Sequence, residues 1–592
     1  MIVPMKKLTL LISAQSRTAA LKTLRGLGVL HIKHIQPPQG EEIDLLNQQL
    51  NAAEKASALI ESKDSEANQK STRKDAGEIV RDILDLKQTR TSLATQRQEN
   101  EEVAQWFERW GDVHPETVQT LRDHGVHIRF YAGNRSGLKN LPDDKHIQIV
   151  KEIGSTVYFA FFSDSEDDRL DFKEEVLPDT DPEILKQEIR RQDREIDKIS
   201  KQLSSMAVYH DSLQRYIQTL NQQLEMSRVM HGLGEAEGFV YLQGFCPEDT
   251  VGRIKKAADE EGWGTIFQEP DNPAEVPTLL RNSKIPRMIE PLFQFMGILP
   301  GYHELDVSFI FLLFFSIFYA IIIGDAGYGF VFLGLTAFFR SRHRQAPMEP
   351  FALFYVLSIT TIIWGMITGT WFGSRAIAEW SPLKSIIIEP MFSFNESQKA
   401  TQFMMRFSFF LGLIQLVAAH FMAFMKKKPA LNAIAEWGWI LICIGMFFVV
   451  DLLVLARPMP GFATVCMIGG LVIVGFFTDF QKHPLKMLGS FIGSILNSIQ
   501  SVISAFSDIV SYIRLFAVGL AGVTVAASFN EMAGGIAAPI VLVLGHALNI
   551  VLGMMSVMVH GVRLNMLEFS GHLGQEWTGR AYRPFKNKEI EK

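Results

Sequence analysis

Arg514 is the residue of this sequence whose surroundings most demand a chemical explanation. It stands within the apolar run FSDIVSYIRLFAVGLAGVTVAASF, residues 506–529. On insertion scales an arginine at bilayer centre costs about 2.5–3.5 kcal/mol. With a pKa above about 12 it cannot escape by losing its proton, so it needs water, a carboxylate or a polar lining. Gln500, Ser504, Ser507, Ser511 and Arg514 are spaced 4, 3, 4 and 3 residues apart and share one helix face, with Asp508 beside the stripe. Beyond Arg514 the same face carries Val518, Ala521, Gly522 and Val525. One half of the helix is a wettable track, the other is smooth and apolar, and the arginine marks the junction. This face predicts ion access from one side that ends at a fixed cation. A continuous water pore needs polar groups along the whole face.

A second stripe follows. His546, Asn549, Ser556, His560 and Arg563 fall on one helix face, with Gly553 filling the gap in the period. His560, one turn from Arg563, is a candidate proton-handling group, whereas Arg563 near a span end can also snorkel to the interface. Asp325, in IIIGDAGYGF, is expected to cap a tight turn. Gln415, His420, Asp451 and Asp479 are expected to be structural. Cys246, Cys443 and Cys466 are odd in number and widely spaced, predicting neither a disulfide framework nor a metal site. No cofactor is expected. No GxxxxGK[ST] phosphate loop occurs, so the chain should not bind ATP by that route. A net charge of -6 without basic clusters interleaved with aromatics argues against nucleic acid.

The elements that carry these stripes follow from a sharp division of the chain. Its 592 residues are too many for one core. Residues 1–300 are rich in Lys, Glu, Asp and Gln, and 301–570 in Phe, Ile, Leu, Val, Gly and Ala. The first part reads as a cytoplasmic arm with two small α/β lobes, one of residues 1–38 and one of about 125–165 folded with 236–275. Coiled-coil helices over 41–110, with a polar break near Ser62–Lys74, and over 182–230 join them. Leu185, Ile189, Ile196, Ile199, Leu203, Met206, Leu213, Ile217, Leu220 and Leu224 keep the alternating three-four spacing of a seam, with Gln192 and His210 at the missing steps. The second part reads as an α-helical polytopic membrane domain of about eight spans, near 305–324, 326–340, 350–373, 402–425, 434–456, 462–478, 503–533 and 538–569. Residues 571–592 form a tail. RSRHR (340–344), KKK (426–428), QKHPLK (481–486) and RAYRPFKNK (580–588) fall on alternate loops, whereas loop 374–401 holds only Arg375, Lys384 and Lys399. This positive-inside bias predicts cytoplasmic N- and C-termini. With no secretory signal read at the N-terminus, the expected location is a plasma or inner membrane if the source is prokaryotic.

Several segments also resemble a known family. SYIRLFAVGLA (511–521) and VHGVRLNMLEF (559–569) resemble the last-two-span motifs of the membrane stator subunit of V-type and A-type ATPases, called subunit a or subunit I. VPTLLRN (276–282), GYHELD (301–306), GDAGYG (324–329) and WGMITGTWFG (364–373) resemble family segments in the family's order. The resemblance implies a non-catalytic subunit of an ATP-driven ion-translocating complex. Its partners would be a rotor ring of small membrane subunits carrying carboxylates, peripheral stalk subunits, a soluble ATPase head and the lipid bilayer. It implies that Arg514 faces the moving ring carboxylate, rather than a fixed one within this chain, that Arg563 supports it, and that Glu568 belongs to the same motif. The sequence departs from the family at Gly553 and Gln500, where acidic residues can occur. The alternative reading is a secondary transporter with a cytoplasmic coiled-coil domain, which would need a substrate site at broken helices.

Overall fold

The structure is a computed structural model that describes residues 1–60, 74–138, 141–142, 145–395, 397–478 and 484–587. The expected polar break near Ser62–Lys74, Asp479 and the loop at 481–483 lie almost wholly outside the described residues. The chain forms two compact units, one of Met1–Leu11, Leu27–Lys33 and Gln243–Phe585, the other of Ile12–Gly26, His34–Leu242 and Lys586–Lys592.

The second unit is built on long helices. Ala76–Trp110 packs along Pro182–Ser205, and Glu41–Leu59 along His210–His231. Asp75 and Asp181 accept the N–H of Gly77 and Glu183 and start two of these helices. Ile43, Ala53, Ile79, Ile83, Leu203 and Leu220 form the shared core. Gln192, at the polar step of the seam, is buried and accepts from the Asn100 amide at 3.2 Å. At one end stands an antiparallel sheet in the order His146–Ile153, Thr156–Ser163, His127–Asn134, Lys173–Glu175.

That sheet corrects the expected lobes. Residues 236–275 do not fold with 125–165. Gly264–Gln268 pairs with Met5–Ser13, and Phe239–Pro247 pairs with His31–Lys33. Alternating strands of similar character are equally able to pair by local pattern, and only the buried faces set the register.

The first unit contains the apolar helices. Met348–Thr368, Gln398–Lys427, Leu431–Leu455, Ser498–Met532 and Ala538–Leu573 are long and apolar enough to cross a membrane. Between Ser308–Ile323 and Ala326–Arg342 the chain bends by 120°. Among the described residues five helices meet the length and composition of a span, or six with the bent pair counted as one, and the shorter apolar helix Gly461–Phe477 stands beside them, against about eight spans expected. Apolar runs alone do not reveal bends. Helices of 16 and 17 residues at about 1.5 Å per residue also fall short of the roughly 30 Å hydrocarbon layer. The bend is made by Gly324, in the left-handed region at φ +68°, and by Asp325. The Asp325 carboxylate accepts N–H bonds from Gly327 and Tyr328 and, across the unit, from Phe372 and Gly373, so it caps the turn as the sequence led one to expect.

The first unit closes on itself through its last described residues. Arg580–Ala581 pairs in parallel with Pro277–Thr278. The Tyr582 hydroxyl donates to the Val29 carbonyl at 2.6 Å, the Phe585 N–H donates to the Leu30 carbonyl at 2.8 Å, and the Phe585 ring is buried.

Candidate functional site

The helix that carries Arg514 is tightened at one residue. Pro484–Ser511 and Ile513–Met532 are separated by Tyr512, whose ring is wholly buried. Its hydroxyl donates to Gln415 Oε1 at 2.6 Å, and Gln415 Nε2 donates to Asn565 Oδ1 at 2.9 Å. This chain of bonds ties the Arg514 helix, through Gln398–Lys427, to the last long helix. Gly412 makes room for it, since a Cβ there would lie 2.5 Å from the Tyr512 ring. The last helix changes character beyond Ser556, where Val557–Gly561 and Leu564–Phe569 form π-helical turns. Such widened turns rotate the side chains beyond them and are common at functional sites.

These two elements bring Arg514, Ser511, Arg563 and Glu568 together. Arg514 Nη2 donates to Glu568 Oε1 at 2.6 Å, and Arg514 Nε donates to the Ser511 carbonyl at 3.0 Å. Ser511 Oγ donates to the same Glu568 oxygen at 3.1 Å, and Arg563 Nε stands 3.7 Å from it. The Glu568 side chain is 4% exposed, that of Arg514 23% and that of Arg563 54%. A buried carboxylate thus anchors a guanidinium that still reaches the surface. The sequence reading placed no fixed carboxylate opposite Arg514, and here the structure corrects it. Glu568, retained as a motif residue, is that carboxylate. A π-helical turn brings it round, which a 3.6-residue period cannot foresee.

Asp508 heads a second group. Its Oδ2 stands 3.0 Å from His572 Nε2, and His572 Nδ1 stands 3.0 Å from His420 Nε2. His420 Nδ1 is 2.7 Å from Glu436 Oε2, and Lys427 Nζ donates to Glu436 Oε1 at 2.5 Å. The group borders a cavity of about 460 Å³, to which Gln500, Ser504 and Asp508 of the predicted stripe contribute. Ser507 is exposed outside it. His560 and Ser556 are half-buried ahead of Arg563, and His560 Nδ1 has no hydrogen-bond partner among the described residues. His546 lies apart, bonded to Tyr328 and Asn530. Glu436, Lys427, His572, Tyr512 and Asn565 were not singled out from the sequence. Only His572 carried a signal, because it follows Glu568 by four residues and shares its helix face.

No family model matches the chain. V-type ATP synthase subunit I of Borreliella burgdorferi is 32% identical to it over 619 residues, covering 99% of this chain and 99% of that protein. The chain belongs to the V-type ATP synthase subunit I family. V-type ATP synthase subunit I 1 of Treponema pallidum is 29% identical over 627 residues, covering 99% of this chain and 100% of that one. A-type ATP synthase subunit I of Methanocaldococcus jannaschii is 27% identical over 395 residues, covering 60% and 56%. A crystal structure of the cytoplasmic N-terminal domain of subunit I, homolog of subunit a, of V-ATPase aligns with a TM-score of 0.24 and 14% identity, over 44% of this chain and 100% of that one. As a member of the subunit I family the chain is a membrane protein and a rotary ATPase subunit that associates with other ATPase subunits. The full-length match leaves no place for the secondary-transporter reading.

Proposed function

We propose that this subunit I-family chain supplies the stationary side of the ion path, with Arg514 as the fixed charge that a rotor-borne carboxylate passes. The supporting observation is the placement of Arg514. Behind it is buried Glu568, and on its own helix Asp508 stands 3.0 Å from His572 at the cavity. Ahead of it runs the small apolar face of Val518, Ala521 and Val525.

A guanidinium has five N–H donors. Glu568 and the Ser511 carbonyl take two, and the others remain for a visiting carboxylate. A fixed cation favours the ionised form of that carboxylate, so its ion leaves toward the aqueous side. The same cation repels ions that would slip through without turning the rotor. Such a leak would dissipate roughly 2.3 kcal/mol per charge at 100 mV. Glu568 keeps Arg514 in position between visits and lowers the cost of holding it in apolar surroundings. On this reading the arm of residues 1–300 tethers the membrane sector to peripheral stalks and the soluble head, and both termini are cytoplasmic.

Replacing Arg514 with Ala in the assembled complex is expected to abolish ATP-driven ion uptake into vesicles while the complex still purifies intact. Uptake near the wild-type rate in an intact complex would overturn the reading.

A further inference from the structure

The group around His420 and His572 poses a hydrogen-bonding problem that two neutral imidazoles do not solve. Each imidazole presents one nitrogen to a carboxylate, His420 Nδ1 to Glu436 and His572 Nε2 to Asp508. A neutral imidazole has one N–H, and the carboxylates are its natural acceptors. Then His420 Nε2 and His572 Nδ1 turn bare lone pairs toward each other at 3.0 Å. Two lone pairs at that distance repel unless an electrophile lies between them. The third group at this point is the Cys443 thiol, and its sulfur and one ring nitrogen of each histidine all lie within 4.8 Å of one another.

We propose that His420, His572 and Cys443 form a binding site for a thiophilic divalent cation, with Zn²⁺ as the best fit. Two nitrogens and a sulfur are the donors that suit zinc, at about 2.0–2.1 Å and 2.3 Å, and small side-chain shifts close 4.8 Å to a shared ion. Three protein ligands leave a fourth position, and His420 and His572 line the 460 Å³ cavity through which water or an ion can reach it. Outer carboxylates that orient zinc-binding histidines are the usual second layer of such sites, and here both histidines have one. His420 is further held by stacking on Trp439, with the rings 10° apart in tilt. The charges close as well. Zn²⁺ with the Cys443 thiolate, Glu436, Asp508 and Lys427 sums to zero with both histidines neutral, so the buried cluster needs no further counter-ion. The sequence hid this site because Cys443 has no neighbouring cysteine, and its co-ligands lie 23 residues before and 129 after it.

The site stands without the ion-path reading. Its consequence rests on that reading: zinc bound between His572 and His420 obstructs the cavity on the Asp508 side of Arg514 and inhibits transport. The test is Zn²⁺ titration of the full chain, purified in detergent after chelator treatment. Bound metal is counted by elemental analysis, and its ligands are read by zinc X-ray absorption. We expect one zinc per chain, a shell of nitrogen ligands with one sulfur, and at least roughly tenfold weaker binding in Cys443→Ser and in His572→Gln. Asp508→Asn, which touches only a ligand, should weaken binding about 10–100-fold. Failure of the wild-type chain to retain zinc at micromolar concentration overturns the proposal. So does a zinc shell without sulfur, or affinity unchanged in both Cys443→Ser and His572→Gln, and the facing nitrogens then share a proton. Zinc inhibition of ion uptake, scaled to each variant's zinc-free rate, should weaken in parallel. Stoichiometric binding without inhibition leaves the metal site standing and counts against the ion path.

Discussion

Glu568 gives one oxygen to Arg514 and Ser511, while its other, Oε2, is buried without a hydrogen-bond partner among the described residues. Its value therefore depends on its charge. Glu568→Gln preserves size and leaves Arg514 without a counter-ion. It should destabilise the membrane sector by about 3–5 kcal/mol, the range for breaking a buried pair, and reduce ion uptake. Thermal unfolding in detergent measures the first effect and vesicle assays the second. Arg514→Gln combined with Glu568→Gln should recover much of the stability and none of the transport, which separates the structural role of the pair from its electrostatic one. Cys246, in a strand of the first unit, offers a different check. Burial pushes its thiol up to about 11. Thiolate is the reactive form, so maleimide labelling of Cys246 in the folded chain should stay slow until roughly pH 10 and become fast on denaturation. Rapid labelling at neutral pH would show that the strand is not packed as described.

At the level of helices, the site depends on close backbone approach. A Cβ at Gly519 would lie 2.5 Å from the Ile321 carbonyl oxygen, so the Arg514 helix and Ser308–Ile323 touch through bare backbone. Gly519→Ala must push them apart. It should lower thermal stability by an amount in the overpacking range, about 1–3 kcal/mol, and slow transport more than its distance from Arg514 suggests. Much of this level was readable from the sequence. Asp508, Ser511 and Arg514 stood out because a polar stripe in an apolar run is costly and local. The arm was readable because Leu185, Leu203, Leu213, Leu220 and Leu224 repeat at seam spacing, and all are buried. The turn at Tyr512 and the π-helical turns after Ser556 were not, since a one-residue change of period leaves no mark on composition. Nor was the Glu436–His420–His572–Asp508 chain, whose members come from four helical segments and meet only through packing.

Among the described residues, the contacts with the longest reach in sequence are those of residues 582–585. Tyr582 and Val29 are separated by 553 residues in sequence and by one hydrogen bond in space. Phe585 fills a buried position beside Leu30, and removing a buried phenylalanine side chain costs about 3–5 kcal/mol. Phe585→Ala should leave the membrane helices intact and make the segment after Gly574 accessible to protease. Mass spectrometry of the cleavage products would locate the cut, and full resistance would argue against a stabilising role for Phe585. No local pattern in RAYRPF announces a strand, because Arg580–Ala581 is extended only through its pairing with Pro277–Thr278.

That closure also sets a schedule. The strand at Pro277–Thr278 and the carbonyls at Val29 and Leu30 leave the ribosome early, but their partners do not exist until Phe585 has been made and Ala538–Leu573 has found its place in the bilayer. The module that is translated first is therefore finished last. Until residues 580–585 arrive, Pro277–Thr278 lacks its strand partner and the buried position that Phe585 fills beside Leu30 stays empty.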